Sequence, residues 1–170
     1  MSREKNLDAL RAAWIEVHAR RPDARLVVVG EGPQRHALDG PGVIATGALH
    51  GQALATVFAS ADVFVLPSET ETFGNVVLEA AASGLPAIVA AAGAAHEHVT
   101  DGVTGMVLDG RDPAAFAGAI LALFADAPRR LAMGRAARSH AAHHDMRRAV
   151  EATWAIYRDV ASGVRQRAAS

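Results

Sequence analysis

Glu71 and Glu79 bracket a Phe73-Gly74 pair and the start of an apolar segment, Asn75-Val76-Val77-Leu78-Glu79-Ala80-Ala81-Ala82-Ser83. The segment reads as a helix, with Gly84 as its C-terminal stop and Pro86 forbidding continuation. Just upstream, Val63-Phe64-Val65-Leu66 is an apolar run between Asp62 and Pro67, the pattern of a strand buried on both faces of a parallel sheet. A polar loop that leaves such a strand and opens a helix presents unpaired backbone N–H groups, and these can hold an anion. Two carboxylates beside an anion site suit a ligand that carries both hydroxyls and phosphate. Because the helix is apolar nearly all round, Glu79 is expected to be buried, and a buried carboxylate requires a partner. That partner is either a structural hydrogen-bond donor, such as an amide or an arginine, or the hydroxyls of a ligand.

A second glycine-bearing loop, Gly30-Glu31-Gly32-Pro33, follows the apolar run Leu26-Val27-Val28-Val29. Glycines there allow the backbone to approach a ligand closely, although a tight turn explains them equally well and the spacing is not the dinucleotide fingerprint.

The elements that must position these loops alternate along the chain. Leu7, Leu10, Trp14 and Val17 recur at helical spacing across residues 6 to 19, and Pro22 closes that helix. Strands are expected at 26–29, 43–47, 63–66, 86–90 and 104–108, with a helix over residues 50 to 60 between the second and third. Alternation of this kind argues a parallel, doubly wound α/β sheet. From Asp112 the pattern is helical: Asp112-Pro113 is an N-cap with proline at the first helical position, ahead of a helix over 114–125. Further helices are expected over 128–143 and 146–162, the last placing Val150, Trp154 and Tyr157 on one side. For Trp154 and Tyr157 core packing is the expectation, with exposed aromatic surface the alternative.

The bounds are those of one domain. The chain has 170 residues, a net charge of −1 and no cysteine. It therefore has room for one core, no overall charge for nucleic acid, and neither a disulfide framework nor a thiolate site. The charged start at residues 1 to 5 has no apolar region behind it, and no run of about 18 apolar residues occurs, so a cytoplasmic protein is expected. His140, His143 and His144 lie close in sequence but lack the glutamate of a zinc-protease helix, and no metal site is expected there.

The block from Glu71 to Pro86, with Glu79-Ala80-Ala81-Ala82-Ser83-Gly84-Leu85-Pro86 trailing it, resembles the family-4 retaining glycosyltransferases of the GT-B architecture. Segments that agree in order are Glu4-Lys5-Asn6, Gly30 to Pro33, Val43 to Gly47, Pro67-Ser68, Gly93 with Glu97, and Asp101 to Gly105. The resemblance covers roughly residues 3 to 110 and corresponds to the donor-binding C-terminal half of such enzymes. It implies a single nucleotide-sugar-binding domain: a Rossmann-like sheet with donor loops to about residue 110, and closing helices over about 112–162.

The reaction implied is transfer of a hexose, of mannose or glucose type, from a GDP- or UDP-linked donor to an acceptor hydroxyl of a lipid or polysaccharide, with retention at the anomeric carbon. By position, Glu71 would contact the transferred sugar and Glu79 the ribose. Lys5 and the backbone of Gly74, Asn75 and Val76 would meet the diphosphate beside Phe73, with Gly30 and Gly32 in the adjoining loop. The backbone near Ile44 and Thr46 would border the base. No cofactor or metal is expected, because amides and cations can neutralise the diphosphate. A role for Glu71 as covalent nucleophile, by analogy with retaining glycosidases, is disfavoured.

Two departures from the family pattern stand out. Ala94 replaces the second glycine of the pair that precedes Glu97. The opening strand, with its Gly-Arg, would fall before Met1, leaving the Leu26–Val29 and Val63–Leu66 strands without the neighbour between them, at about 1 kcal/mol for each lost ladder hydrogen bond. A fragment or a misplaced start is therefore expected, inactive without an N-terminal acceptor domain. Any peripheral membrane association would come through that absent half. The alternatives are a stand-alone nucleotide-sugar-binding module or subunit, and a GT-B sugar-nucleotide epimerase or phosphorylase.

Overall fold

The computed structural model describes residues 5–143 and Trp154. Among the described residues, five parallel strands and five helices alternate: α1 (Leu7–Arg20), β1 (Leu26–Val29), β2 (Val43–Gly47), α2 (Gly51–Ser60), β3 (Phe64–Leu66), α3 (Asn75–Ala82), β4 (Ala87–Ala90), β5 (Gly105–Leu108), α4 (Pro113–Ala125) and α5 (Ala127–Ala141). Short 3-10 turns at Arg35–Leu38 and Ala95–His98 interrupt the connections, and the sequence pattern did not announce either. The helix expected over 146–162 lies outside the described residues, apart from Trp154.

The ladders fall into two parallel sheets, one of β1 and β2, the other ordered β3-β4-β5. β1 is not paired with β3. This is where the sequence places the gap of one strand, and the two sheets nevertheless share a core. Leu26 and Val43 of the first sheet pack on the same cluster as Val65, Ile88, Ala90, Met106 and Leu108 of the second, beneath Trp14 and Val17 of α1 and Phe116, Ile120 and Leu123 of α4.

The other face of the three-stranded sheet is covered by α3. There Ala87 and Val89 pack with Val77 and Ala95, flanked by Phe64, Leu66 and Val107. Alternate residues of β4 therefore enter opposite layers, as the period-two geometry of a strand dictates, and all four are buried. That is the doubly wound arrangement expected. α2 joins this layer through Phe58, which packs with Ala80 and Leu85.

Burial corrects three readings of the sequence. β1 and β3 are only partly buried, because each has an edge with no ladder neighbour among the described residues. On the β1–β2 sheet the paired residues Val27 and Ile44 are 42% and 48% exposed, so one face of that sheet is bare. Trp154 is 63% exposed, against the expectation of core packing.

Helix ends follow local chemistry. The Asp112 side chain accepts from Ala115 N–H at 3.0 Å with Pro113 at the first helical position, and Asp126 caps α5 in the same way through Arg129 N–H at 2.9 Å. Gly84, at φ 81°, stops α3 in the left-handed conformation foreseen for it. Among the described residues, no helix is long and apolar enough to cross a membrane.

Candidate functional site

The loop from β3 to α3 is held by three contacts from two other parts of the chain. Lys5 Nζ reaches Glu71 Oε2 at 2.7 Å. Ala94 N–H donates to Glu71 O at 2.7 Å. His98 Nε2 donates to Phe73 O at 2.8 Å. These contacts gather residues from the start of α1, the β3–α3 loop and the β4–β5 connection at the carboxyl end of the three-stranded sheet, where open α/β sheets bind ligands.

Lys5 is brought there by Asn6. Asn6 adopts φ 52° and ψ 44°, the one left-handed non-glycine residue among those described. Its Nδ2 donates to Gly110 O at 2.7 Å and to Pro67 O at 3.4 Å. One side chain thereby pins the start of α1 to the loops that follow β3 and β5. Asparagine tolerates the left-handed region better than most residues, which makes the sharp entry into α1 affordable.

Two glycines allow the loop to close. Gly93 has φ 65°, and a Cβ there would lie 2.8 Å from Glu71 N and 2.9 Å from Glu71 O. Gly74, also at φ 65°, caps α3, and a Cβ there would lie 2.7 Å from His98 Cδ2 and 3.0 Å from Ala95 Cα. Ala94, by contrast, sits in ordinary right-handed backbone at φ −83°, ψ −9°, so the alanine that departs from the family's glycine pair carries no strain. The left-handed position is Gly93 alone.

The first intrahelical bond of α3 runs from Val77 N–H to Gly74 O at 2.8 Å. The N–H groups of Gly74, Asn75 and Val76 therefore precede the helical ladder, at the end where the helix dipole is positive; Asn75 is exposed there and Gly74 buried. Phe73 is 70% exposed beside them.

Glu79 departs from expectation. It is exposed, and together with Asn75 and Ala82 it forms an open stripe along α3, while Val77, Ala80 and Ala81 are buried on the opposite side. The apolar composition misled because alanine and valine cover little area, so α3 buries one side only. An exposed carboxylate needs no internal partner, and the structural reading of Glu79 thereby loses its basis.

The remaining sequence-chosen residues lie at the other sheet. Gly30 and Gly32 have φ 123° and 148°, values that favour glycine, and Gly30 N–H donates to Gly47 O at 2.8 Å. Ile44 and Thr46 are exposed on β2, and the Thr46 hydroxyl donates to Gly47 O at 3.0 Å. The structure thus forms two groups: Lys5, Glu71, Phe73, Gly74, Asn75, Val76 and Glu79 at one sheet, and Gly30, Gly32, Ile44 and Thr46 at the other. Sequence reasoning missed His98, whose partner lies 25 positions away. It also missed the direct pairing of Lys5 with Glu71, which it had given to different parts of a ligand.

Among the described residues, no three His, Asp or Glu side chains gather as a metal-ligand set. His143 Nδ1 instead donates to Ser139 O at 2.8 Å, within its own helical turn.

Comparison with known proteins agrees with this geometry. The family model described as glycosyl transferases group 1 matches residues 1–126. The chain is 37% identical over 153 residues to the sulfoquinovosyl transferase SQD2 of Arabidopsis thaliana, covering 86% of this chain and 29% of that protein. It is 47% identical over 91 residues to a GDP-mannose-dependent alpha-mannosyltransferase of Corynebacterium glutamicum, covering 52% of this chain and 22% of the relative. The sucrose-phosphate synthase of Thermosynechococcus elongatus superposes with a TM-score of 0.82 at 28% identity, over 95% of this chain and 44% of that one. The chain therefore spans less than half the length of each of these proteins. With a parallel α/β sheet, the loop block at its carboxyl end and a family match over most of its length, the chain belongs to the group 1 glycosyl transferases.

Proposed function

We propose that this chain is the donor-binding domain of a retaining glycosyltransferase, which holds a nucleoside diphosphate hexose and presents the sugar to an acceptor hydroxyl. The observation that carries the reading is the convergence of Lys5, Glu71 and the open N-terminus of α3 at one sheet end. A cation, a carboxylate and the N–H groups that open a helix suit a ligand with a diphosphate and a polyhydroxylated ring.

In the reaction, the bond between the anomeric carbon and the diphosphate oxygen breaks while a bond to the acceptor oxygen forms, and the acceptor hydroxyl's proton leaves with the diphosphate. Charge develops on the departing diphosphate. The N–H groups of Gly74, Asn75 and Val76, the positive end of α3 and Lys5 Nζ are placed to stabilise it, and they are already oriented before the reaction begins. Glu71, on the loop that faces the transferred sugar, binds its hydroxyls, and the exposed Glu79 one turn into α3 accepts from the ribose. Gly30 and Gly32 let the backbone close over the nucleoside, whose base lies against β2 near Ile44 and Thr46. Glu71 is a binding group rather than a nucleophile, as its pairing with Lys5 supports. The charge complement serves a diphosphate without a metal ion.

The mannosyltransferase relative, named as GDP-mannose-dependent, supports GDP-mannose as a donor to be tried first. UDP-hexoses are the other class. The acceptor, a lipid or polysaccharide hydroxyl in this reading, is held by a region outside the chain, so the chain alone binds donor without transferring it.

Calorimetric titration with GDP and UDP tests the proposal. Saturable binding of at least one at millimolar concentration or below is expected. Absence of heat with both at millimolar ligand would overturn the assignment.

A further inference from the structure

The chain places one side chain under the turn that opens α3, and no part of the donor-site reading uses it. His98 ends the 3-10 turn Ala95–His98, and its Nε2 lies 2.8 Å from Phe73 O. A carbonyl oxygen only accepts, so Nε2 carries the proton. The ring lies against Gly74, where an added Cβ would come 2.7 Å from His98 Cδ2 and 3.2 Å from Nε2. The missing side chain at Gly74 is therefore what lets the ring approach the turn.

The peptide that joins Phe73 to Gly74 is planar and trans, so its C=O and N–H point in opposite directions. Holding the carbonyl down onto His98 aims the Gly74 N–H the opposite way. Gly74 is the residue whose backbone could most easily rotate, since it has no Cβ and sits at φ 65°. Without the histidine, the 73–74 peptide can flip, and the first N–H of the cradle is then replaced by a carbonyl oxygen, which repels a phosphate. We infer that His98 is a positioning residue for the donor site: it locks the 73–74 peptide so that the Gly74 N–H faces the diphosphate of a nucleotide sugar.

This inference rests on the donor-binding reading, and it assigns His98 no contact with ligand. Its neighbour contact, Ala94 N–H to Glu71 O, is backbone, and only proline at position 94 would remove the donor. The histidine is the part of the clamp that can be tested.

The test compares His98→Leu and His98→Gln in the 170-residue chain. Leucine fills similar space without a donor, whereas the glutamine amide can donate to Phe73 O. Binding of UDP and GDP is measured by calorimetry, folding by thermal unfolding, and the turn by the 15N-resolved amide signal of Gly74. His98→Leu should weaken nucleoside diphosphate binding by about tenfold, in line with loss of one hydrogen bond to a charged group. It should also shift the Gly74 amide signal in the ligand-free protein. His98→Gln should restore binding to within about threefold of the original and return the Gly74 signal toward its place. The long-range 15N spectrum of the imidazole should show Nε2 protonated.

Equal affinity in the original chain and His98→Leu would overturn the inference while leaving the donor site intact. Equal weakening in both variants, with no rescue by glutamine, would also overturn it, since the ring would then act only as packing. If the original chain binds neither UDP nor GDP, the donor-site reading falls and this inference falls with it.

Discussion

Lys5 Nζ and Glu71 Oε2 lie 2.7 Å apart, joined across 66 positions of sequence. Their side chains are 41% and 19% exposed, so water and ligand both have access to the pair. In the ligand-free chain the cation proposed for the diphosphate and the carboxylate proposed for the sugar neutralise one another. Pairs of this exposure contribute only about 0.2–1 kcal/mol to stability. On the proposed reading, a diphosphate with its stronger charge would draw Lys5 to itself and release Glu71 toward the sugar.

Lys5→Met should accordingly lower stability by no more than about 1 kcal/mol. It should weaken nucleoside diphosphate binding by about tenfold, the scale of one lost charge-assisted hydrogen bond. Urea unfolding and calorimetry on the same preparation check both halves of this expectation. A large loss of stability with unchanged affinity would make Lys5 a structural residue.

The two carboxylates should respond differently. With Glu79 on the ribose as proposed, Glu79→Gln would keep one contact but lose its charge, and should weaken GDP and UDP binding by about 1–2 kcal/mol. Glu71→Gln frees Lys5, so affinity for the bare nucleoside diphosphate should stay level or rise. The extra affinity that a nucleotide sugar has over its nucleoside diphosphate should shrink. Parallel titrations with GDP and GDP-mannose separate these effects, and equal weakening of GDP by both variants would contradict the assigned roles.

Glycine positions offer a stability test that involves no ligand. Gly93→Ala would place a Cβ 2.8 Å from Glu71 N in left-handed backbone, and should cost about 1–3 kcal/mol. Gly118 lies inside α4, where an added methyl group would meet nothing within 4 Å, and its replacement by alanine should gain about 0.5–1 kcal/mol. Midpoints of urea unfolding at constant m-value report both changes. Tolerance of alanine at Gly93 would show that the clamp on Glu71 is looser than the geometry implies.

Much of this architecture was legible because its signals are local. The apolar run of β1, the Asp112-Pro113 cap of α4 and the Gly84 stop of α3 each depend on neighbours a few residues away, and all stand where the sequence puts them. The absence of a ladder between β1 and β3 was also foreseen, from the family's strand order rather than from periodicity. Glu79 was misjudged because composition reports how apolar a helix is, not how much of it a small domain can cover. The contact of His98 with Phe73 and the pairing of Lys5 with Glu71 were invisible because both join distant segments, and only the packed sheet ends bring them together. Asn6 could have been suspected from its tolerance of left-handed backbone, but its two carbonyl partners belong to loops far along the chain.

The central claim is that a nucleoside diphosphate binds at the N-terminus of α3. Titration of 15N-labelled chain with GDP and UDP, followed residue by residue in the amide spectrum, tests it most directly. The largest shifts should fall on Gly74, Asn75 and Val76, with a second group at Gly30, Gly32 and Thr46. Saturable shifts confined to the apolar groove between α1 and the Arg35–Leu38 turn with the loop after it, lined by Trp14, Ile15, Leu38 and Pro41, with the start of α3 silent, would contradict it.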